Sequence, residues 1–321
     1  MSTHEGTLFD GLGEPDASLP SGRFASEKVE RVLQWFTRCA ERSNLEDRFS
    51  SVLRQSIDEV LDGQRTGRYD LKDLSKTEKT YLGTKVEIVC QNEFGFSDGS
   101  RMDYKISGVD VDAKFSLTGE WMIPTEAMGQ ICLVMSADDE KSTFDVGLVH
   151  VAEEILRGGA NKDSKRQMSA SGRSAIRWIF KSGRLRRNIL LGLNDEKKRL
   201  IFSGSTGQQR VNNLFENLLG QMIDRTTVQT TARQLDAPKR VRDARRHLAS
   251  KGIVILGHQN ESVRVASALG IAVPDKSSWI SVRLVPAEGR SGYGRQVEIN
   301  GSWYVRARDD DPAFPAPAVA H

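Results

Sequence analysis

Met102-Asp-Tyr-Lys-Ile-Ser-Gly-Val-Asp-Val-Asp-Ala-Lys-Phe-Ser116 is the stretch whose reading decides the fold. Tyr104 and Ile106, then Val109, Val111, Ala113 and Phe115, alternate with polar residues at the period of two expected of strands. Gly108 interrupts the alternation and supplies a turn, so the stretch reads as a β-hairpin. In its second strand Val109, Val111, Ala113 and Phe115 share a side that can pack on a core, while Asp110, Asp112 and Lys114 share the other. In the first strand Asp103 and Lys105 lie opposite Tyr104 and Ile106.

Pairing across such a hairpin brings Asp103 near Asp112 and Lys114, the carboxylate pair beside a lysine found in many metal-dependent nucleases. Carboxylates can hold Mg2+, which neutralises phosphate charge and activates water, and the lysine positions or deprotonates that water. The spacing alone is not selective. An acidic residue two before a lysine also occurs at Asp70, Asp103, Asp139, Asp163, Asp195 and Glu196, and a solvated strand face accounts for such matches equally well. Only Asp112 combines it with an alternating strand and an acidic residue at the end of the preceding strand.

With 321 residues, 38% of them hydrophobic, the chain suits two domains with a core in each. No apolar run approaches the roughly 20 residues needed to cross a bilayer, and residues 1–23 lack the sections of a signal peptide, so a cytoplasmic protein without membrane contact is expected. Cys39, Cys90 and Cys132 are widely spaced in apolar surroundings and read as buried thiols. Residues 1–160 carry 18 Lys and Arg against 29 Asp and Glu, net −11; residues 161–321 carry 28 against 14, net +14. A half that basic suits a polyanion, with a basic surface kept only for solubility as the other reading.

The expected organisation is a flexible tail at 1–22, an α/β catalytic domain at 23–160, a linker at 161–166, an α+β winged-helix or helix-turn-helix DNA-binding domain at 167–308, and a frayed tail at 309–321. Two packed helices follow from Val29, Val32, Leu33, Phe36 and from Leu45, Phe49, Val52, Leu53, Ile57, Val60. Ser75 and Glu78 form a capping-box signature for a helix that carries Glu87. The apolar runs 131–135 and 144–151 extend the hairpin into a mixed sheet of at least four strands with flanking helices.

The second domain is expected to begin with a helix after Ser169 carrying Ile176, Ile179 and Phe180. Lys239, Arg240, Arg242, Arg245 and Arg246 crowd one later helix, with 239, 242 and 246 on one face. Three or more helices followed by β-hairpins is the order of a winged helix, which can lay one helix in the major groove. Arg65 and Arg68, in a polar turn, are phosphate contacts or solvated side chains. His150 and His258 have no neighbouring ligand series, and Gly204-Ser-Thr-Gly207 lacks the lysine of a phosphate loop.

Through Asp62-Gly-Gln-Arg-Thr-Gly-Arg68, Lys76-Thr-Glu-Lys-Thr80, Gly83-Thr-Lys-Val-Glu-Ile88, residues 103–116 and Ile131-Cys-Leu-Val134 the chain resembles the NaeI family of type II restriction endonucleases. The likeness continues at Arg210-Val-Asn, Lys239-Arg-Val-Arg242, Gly252-Ile-Val-Ile-Leu-Gly-His-Gln259 and Val285-Pro-Ala287, covering about residues 45–300. The resemblance implies a restriction-endonuclease fold joined to a DNA-binding domain of the catabolite-activator type. It further implies a homodimer that cuts double-stranded DNA at the palindrome GCCGGC with Mg2+, stimulated by a second bound duplex. Carried over by position, the catalytic residues are Glu87, Asp103, Asp112 and Lys114, with the three carboxylates holding the metal. Asp110, Val60 and the region 185–198 depart from the family pattern. The competing class is a non-catalytic DNA-binding transcriptional regulator whose acidic domain binds a partner.

Overall fold

The structure, a computed structural model, describes residues 23–320, with side chains from residue 27; the tail expected at 1–22 lies outside the described residues. The chain divides into two compact units, one running to Val60 and resuming over Leu74–Arg187, the other formed by Leu61–Asp73 with the chain from Asn188 onward. No helix among the described residues is long and apolar enough to cross a membrane.

The first unit is built on strands β1 (Ser97–Asp98), β2 (Tyr104–Ile106), β3 (Val109–Ser116), β5 (Ile131–Asp138), β6 (Thr143–His150) and β8 (Arg177–Arg184), in spatial order β1-β2-β3-β5-β6-β8. Only β3 and β5 run parallel, so the sheet is mixed. A separate antiparallel pair joins β4 (Met122–Pro124) to β7 (Lys165–Gln167). Residues 131–137 of β5 are all buried, as a central strand covered on both faces requires. Helices Arg23–Ala40 and Lys76–Phe94 pack against this sheet, burying Val32 and Phe36 from one and Leu82, Val86 and Cys90 from the other. Trp121, Ile123, Cys132, Val134, Val149, Ile176 and Met168 form a further core cluster. This is the mixed α/β architecture expected for the first half.

The capping box forms as its spacing predicts: Ser75 Oγ accepts from Glu78 N (3.3 Å), and Glu78 Oε2 accepts from Ser75 N (2.8 Å). It fixes where the helix carrying Glu87 begins.

The boundary at 161–166 is corrected. Lys165–Gln167 is strand β7, only Ala170–Ser174 is helical, and Arg177–Arg184 is the last strand of the six-stranded sheet, pairing with β6 from Leu148↔Arg177 to Thr143↔Arg184. Ile176, Ile179 and Phe180 therefore serve the first unit. The units part between Arg187 and Asn188, and Leu61–Asp73 crosses into the second. There Gly63 lies against Thr230, the Tyr69 ring stacks on Phe202 at 5.7 Å, and Asn188 Nδ2 donates to the Tyr69 carbonyl at 2.7 Å. Redrawing the boundary shrinks the charge division: the first unit holds 24 Lys and Arg against 27 Asp and Glu, net −3, and the second 22 against 16, net +6.

The second unit packs helices Asp195–Phe202, Gly207–Asn217, Arg225–Ala232 and Ala237–Leu248 around Leu214, Phe215, Val228, Val241, Ala244 and Leu248. Strands β9 (Met222–Asp224) and β10 (Ile253–Leu256) flank the first part of β11 (Ser278–Pro286), both antiparallel to it. The far end of β11 pairs with β13 (Ser302–Arg306), which pairs with β12 (Gln296–Ile299). The tail expected to fray at 309–321 is docked as far as it is described. Ala316 N donates to the Ala249 carbonyl (2.7 Å), Asn300 Nδ2 to that of Ala318 (2.8 Å), and Arg290 pairs with Asp311 (3.2 Å). Ala316 and Val319 add apolar contact, which outweighs the tail's proline content.

A Cβ added at Gly63 would press into Thr230 Oγ1 and the Arg68 carbonyl oxygen. Gly63→Ala is expected to destabilise the second unit by about 1–3 kcal/mol through overpacking. Urea unfolding followed by the fluorescence of Trp279 or Trp303 checks this; an unchanged midpoint would remove Leu61–Asp73 from that core.

Candidate active site

The β2–β3 hairpin turns through Ser107 (φ 49°) and Gly108 (φ 78°), two left-handed residues in the two-residue turn that matches strand twist. The turn sets the register Ile106↔Val109 and Tyr104↔Val111, so Asp103, just past the last pair, falls opposite Asp112. Asp103 Oδ2 accepts from Ala113 N at 2.7 Å, its carboxylate continuing the ladder where β2 ends. Lys114 Nζ lies 2.7 Å from Asp112 Oδ2 and 4.0 Å from Asp103 Oδ2, and donates to the Ala113 carbonyl at 2.9 Å.

Glu87 arrives from the helix Lys76–Phe94. Tyr104 is fully buried and its hydroxyl donates to the Glu87 carbonyl oxygen at 2.7 Å, tying that helix turn to the hairpin beside Asp103. The structure thus brings Asp103, Asp112 and Lys114 into contact range and holds Glu87 within their electrostatic reach.

Asp112, Glu87 and Lys114 all have raised pKa values, which disfavours the charged form of the two carboxyls and favours that of the lysine. Asp112 is 6% exposed, and burial, reinforced by Asp103, raises its pKa against the opposing charge and hydrogen bond of Lys114. Glu87 is raised by burial and then by the negative charges of Asp103 and Asp112, with Lys114 pulling the other way. Burial pulls Lys114 down, but the charge and hydrogen bond of Asp112, with Asp103 behind them, outweigh it and leave its pKa raised.

Among the described residues no three Asp, Glu, His or Cys side chains are placed to enclose a metal ion. The donors on offer are hard carboxylate oxygens, which suit Mg2+, an ion usually held by one or two carboxylates with waters and substrate phosphate completing its shell.

Two further residues belong to the site. Cys132 aligns with Asp112 across the parallel β3–β5 pair, and its thiol donates to Asp112 Oδ2 at 3.4 Å; burial pushes the thiol well above its ordinary pKa. Tyr104 is the other. Neither carries a local sequence signal, since one needs the parallel pairing and the other the helix packing to acquire its role.

The residues expected to bind DNA separate into groups. Lys239, Arg242 and Arg246 are exposed on the helix Ala237–Leu248, whose opposite side buries Val241, Ala244 and Leu248. Arg240 and Arg245 are turned into the protein: Arg240 Nη1 donates to Gln208 Oε1 (3.2 Å), and Arg245 Nε donates to the Ile255 carbonyl (2.9 Å), with burial pulling its guanidinium down to about 10. Arg65 pairs with Asp62 at 3.1 Å and Arg68 Nε donates to the Leu61 carbonyl at 3.3 Å. Both lie in Leu61–Asp73, in the second unit and not in the unit of the carboxylates.

A carboxylate pair beside a lysine on a mixed sheet, with Asp112 buried and Asp103 half-buried, is the arrangement expected of a metal-dependent nuclease, and comparison with known proteins supplies the family. Residues 41–315 match the family model described as restriction endonuclease NaeI. The chain is 43% identical over 285 residues to the type II restriction enzyme NaeI of Lentzea aerocolonigenes, covering 85% of this chain and 89% of that protein. The chain belongs to the NaeI restriction endonuclease family and is a type II restriction endonuclease, so the non-catalytic regulator is set aside.

Because the ionised Glu87 is disfavoured in the folded state, its charge opposes folding above the raised folded pKa, and that cost disappears as pH falls below the unfolded value. Glu87→Gln is therefore expected to raise the melting temperature of the metal-free protein at pH 7, with little change near pH 3.5. It should also shrink the stabilisation that added Ca2+ gives. A lowered melting temperature at pH 7 with an undiminished Ca2+ shift would place Glu87 outside the cluster.

Proposed function

We propose that the first unit hydrolyses DNA phosphodiesters through Asp103, Asp112, Lys114 and Glu87, and that the second holds a separate duplex. The observation that carries the catalytic assignment is Lys114 Nζ at 2.7 Å and 4.0 Å from the two aspartates, which the hairpin register sets opposite each other. Asp103 and Asp112, with Glu87 adjacent, are the residues that would hold Mg2+. When bound, this ion supplies Lewis acidity to the phosphate and lowers the pKa of bound water. Lys114 is kept protonated by its two carboxylates, so its ammonium is suited to orient a water or phosphate oxygen by donation more than to remove a proton. Cys132 holds Asp112 Oδ2 from the sheet side, and Tyr104 holds the helix turn of Glu87.

The second unit supports a winged-helix reading. The order helix, β9, helix, helix, β10, β11, with β11 pairing between β9 and β10, follows that of the fold, the helix Glu261–Ala268 being an insertion between β10 and β11. The helix Ala237–Leu248 follows a tight turn at Arg233 (φ 54°), and Asp236 Oδ1 caps it by accepting from Lys239 N at 3.1 Å. Its exposed Lys239, Arg242 and Arg246 would face the duplex. Recognition of GCCGGC, action as a homodimer and stimulation by a second site rest on the family likeness.

Asp112→Ala is expected to abolish Mg2+-dependent cleavage of plasmid while leaving DNA affinity in Ca2+ within a few-fold, since most affinity comes from phosphate contacts elsewhere. Cutting at a normal rate by that variant would sink the site. Separately, a plasmid with one recognition site should be cut faster when a short cognate duplex is added in trans. Charge reversal at Arg242 and Arg246 should remove that acceleration; equal rates at every duplex concentration would end the effector role.

A further inference from the structure

The redrawn boundary hands the first unit a feature that neither its carboxylates nor the second unit's helices account for. Between Asp163 and Asp195 there is no acidic residue, while eight lysines and arginines occur. Two of these are neutralised locally, Arg166 by Glu153 (2.5 Å) and Arg177 by Glu30 (2.8 Å). Lys181, Arg184, Arg186 and Arg187 are exposed, and none makes an ion pair among the described residues. Lys181 Nζ sits 5.8 Å from the centroid of the Trp178 ring.

The backbone beneath them is fixed and does not behave as a basic linker. Leu185 is buried and its N–H donates to the Ser142 carbonyl (2.9 Å). Arg184 N donates to Glu46 Oε1 (2.7 Å), Arg186 N to Ser50 Oγ (2.8 Å) and Ser182 N to Asp145 Oδ1 (2.7 Å). Glu46 and Asp145 are thus bound to the main chain of the strip, and the side chains of Arg184, Arg186 and Arg187 are exposed. A cationic strip held on a rigid edge of a unit whose net charge is −3 is where that unit can approach a polyanion.

We propose that Lys181, Arg184, Arg186 and Arg187 form a backbone clamp by which the first unit grips the phosphates of the duplex it cuts, away from the scissile bond. The proposal rests on the reading of the first unit as the cleaving one. Its geometry follows from the sheet: Asp112 aligns with Cys132 and Val149, whereas Arg184 aligns with Thr143, six residues further along β6 and on the far side of it. At about 4.8 Å per strand and 3.3 Å per residue, the strip lies roughly 25 Å from Asp112. That corresponds to about seven base pairs of duplex at roughly 3.4 Å per pair. The clamp is therefore a sequence-independent contact to flanking DNA, with phosphate as its only ligand chemistry.

The test compares the full-length chain with its Arg184→Gln/Arg186→Gln/Arg187→Gln and Arg184→Lys/Arg186→Lys/Arg187→Lys variants, on linear duplexes whose flanks grow from about three to about fifteen base pairs. In the native chain KM should fall several-fold as the flank passes about seven pairs. The glutamine variant should lose that gain, with KM on long duplexes raised about tenfold and kcat reduced less. Its binding in Ca2+ should lose about 2–3 from the slope of log affinity against log salt, and the lysine variant should recover most of both. Should the triple glutamine variant melt at a lower temperature, the three single substitutions carry the length series. Superimposable length series for native and glutamine variants, or a lysine variant no better than glutamine, overturns the clamp. Asp112→Ala separates this outcome from failure of the catalytic reading: an inert Asp112→Ala beside superimposable series rejects the strip alone, whereas an active one rejects the site itself.

Discussion

The first unit depends on one register. Once Ser107 and Gly108 turn the hairpin, Tyr104 must face Val111, and the next residue outward, Asp103, must face Asp112. A slip of one residue would reverse every side chain between the two faces. Asp112 would then point away from Cys132 and Lys114 would lose its carboxylate. The hydrogen bond from Ala113 N to Asp103 Oδ2 reinforces this register, because a carboxylate outside β2 makes the ladder contact that a main-chain carbonyl would otherwise make. Strand pairing and site assembly are the same event here.

The arrangement is electrostatically unfavourable for the carboxylates in a way that suits a metal-dependent site. Burial raises Asp112 and Glu87, and their mutual repulsion with Asp103 adds to it. Lys114 offsets part of this with a single charge. A divalent cation entering among hard oxygen donors would offset more, so affinity for the ion would come from charge that folding has already concentrated. The surroundings keep that charge in place: Tyr104 closes the helix side beneath Phe96, ring centroids 5.1 Å apart, and Cys132 closes the sheet side.

Local patterns in the sequence were legible where one segment determines its own structure. The alternation from Tyr104 to Phe115, the Ser75–Glu78 cap and the apolar stripes at Val32–Phe36 and Phe49–Ile57 all rest on contacts within a few residues or on a single period. Arg177–Arg184 was not legible in that way. Ile176, Ile179 and Phe180 satisfy a helical spacing, and what makes the segment a strand is pairing to β6 some thirty residues earlier. Leu61–Asp73 was harder still, because Gly63 meets Thr230 across more than 160 positions. The basic helix was legible in part: helical spacing set Lys239, Arg242 and Arg246 on one face, and these are exposed, but that Arg245 is spent on the Ile255 carbonyl depends on a strand the helix does not contain.

The misplaced boundary also distorted the electrostatics, and its correction changes how DNA capture is understood. Divided at 160, the chain reads as a strongly acidic half that needs help to approach DNA and a strongly basic half that provides it. Divided where the sheet ends, nine lysines and arginines of residues 162–187 return to the first unit, and the contrast falls from −11 against +14 to −3 against +6. Net charge over a segment is then a poor guide to binding, because a phosphate within reach responds to cations inside a Debye length of about 8–10 Å and hardly to the sum over a whole unit. What matters is whether like charges are gathered on a rigid surface. Residues 181–187 are gathered and rigid, whereas Arg240 and Arg245 are gathered in sequence but dispersed by the fold, so the count of cations in a segment overstates one unit and understates the other.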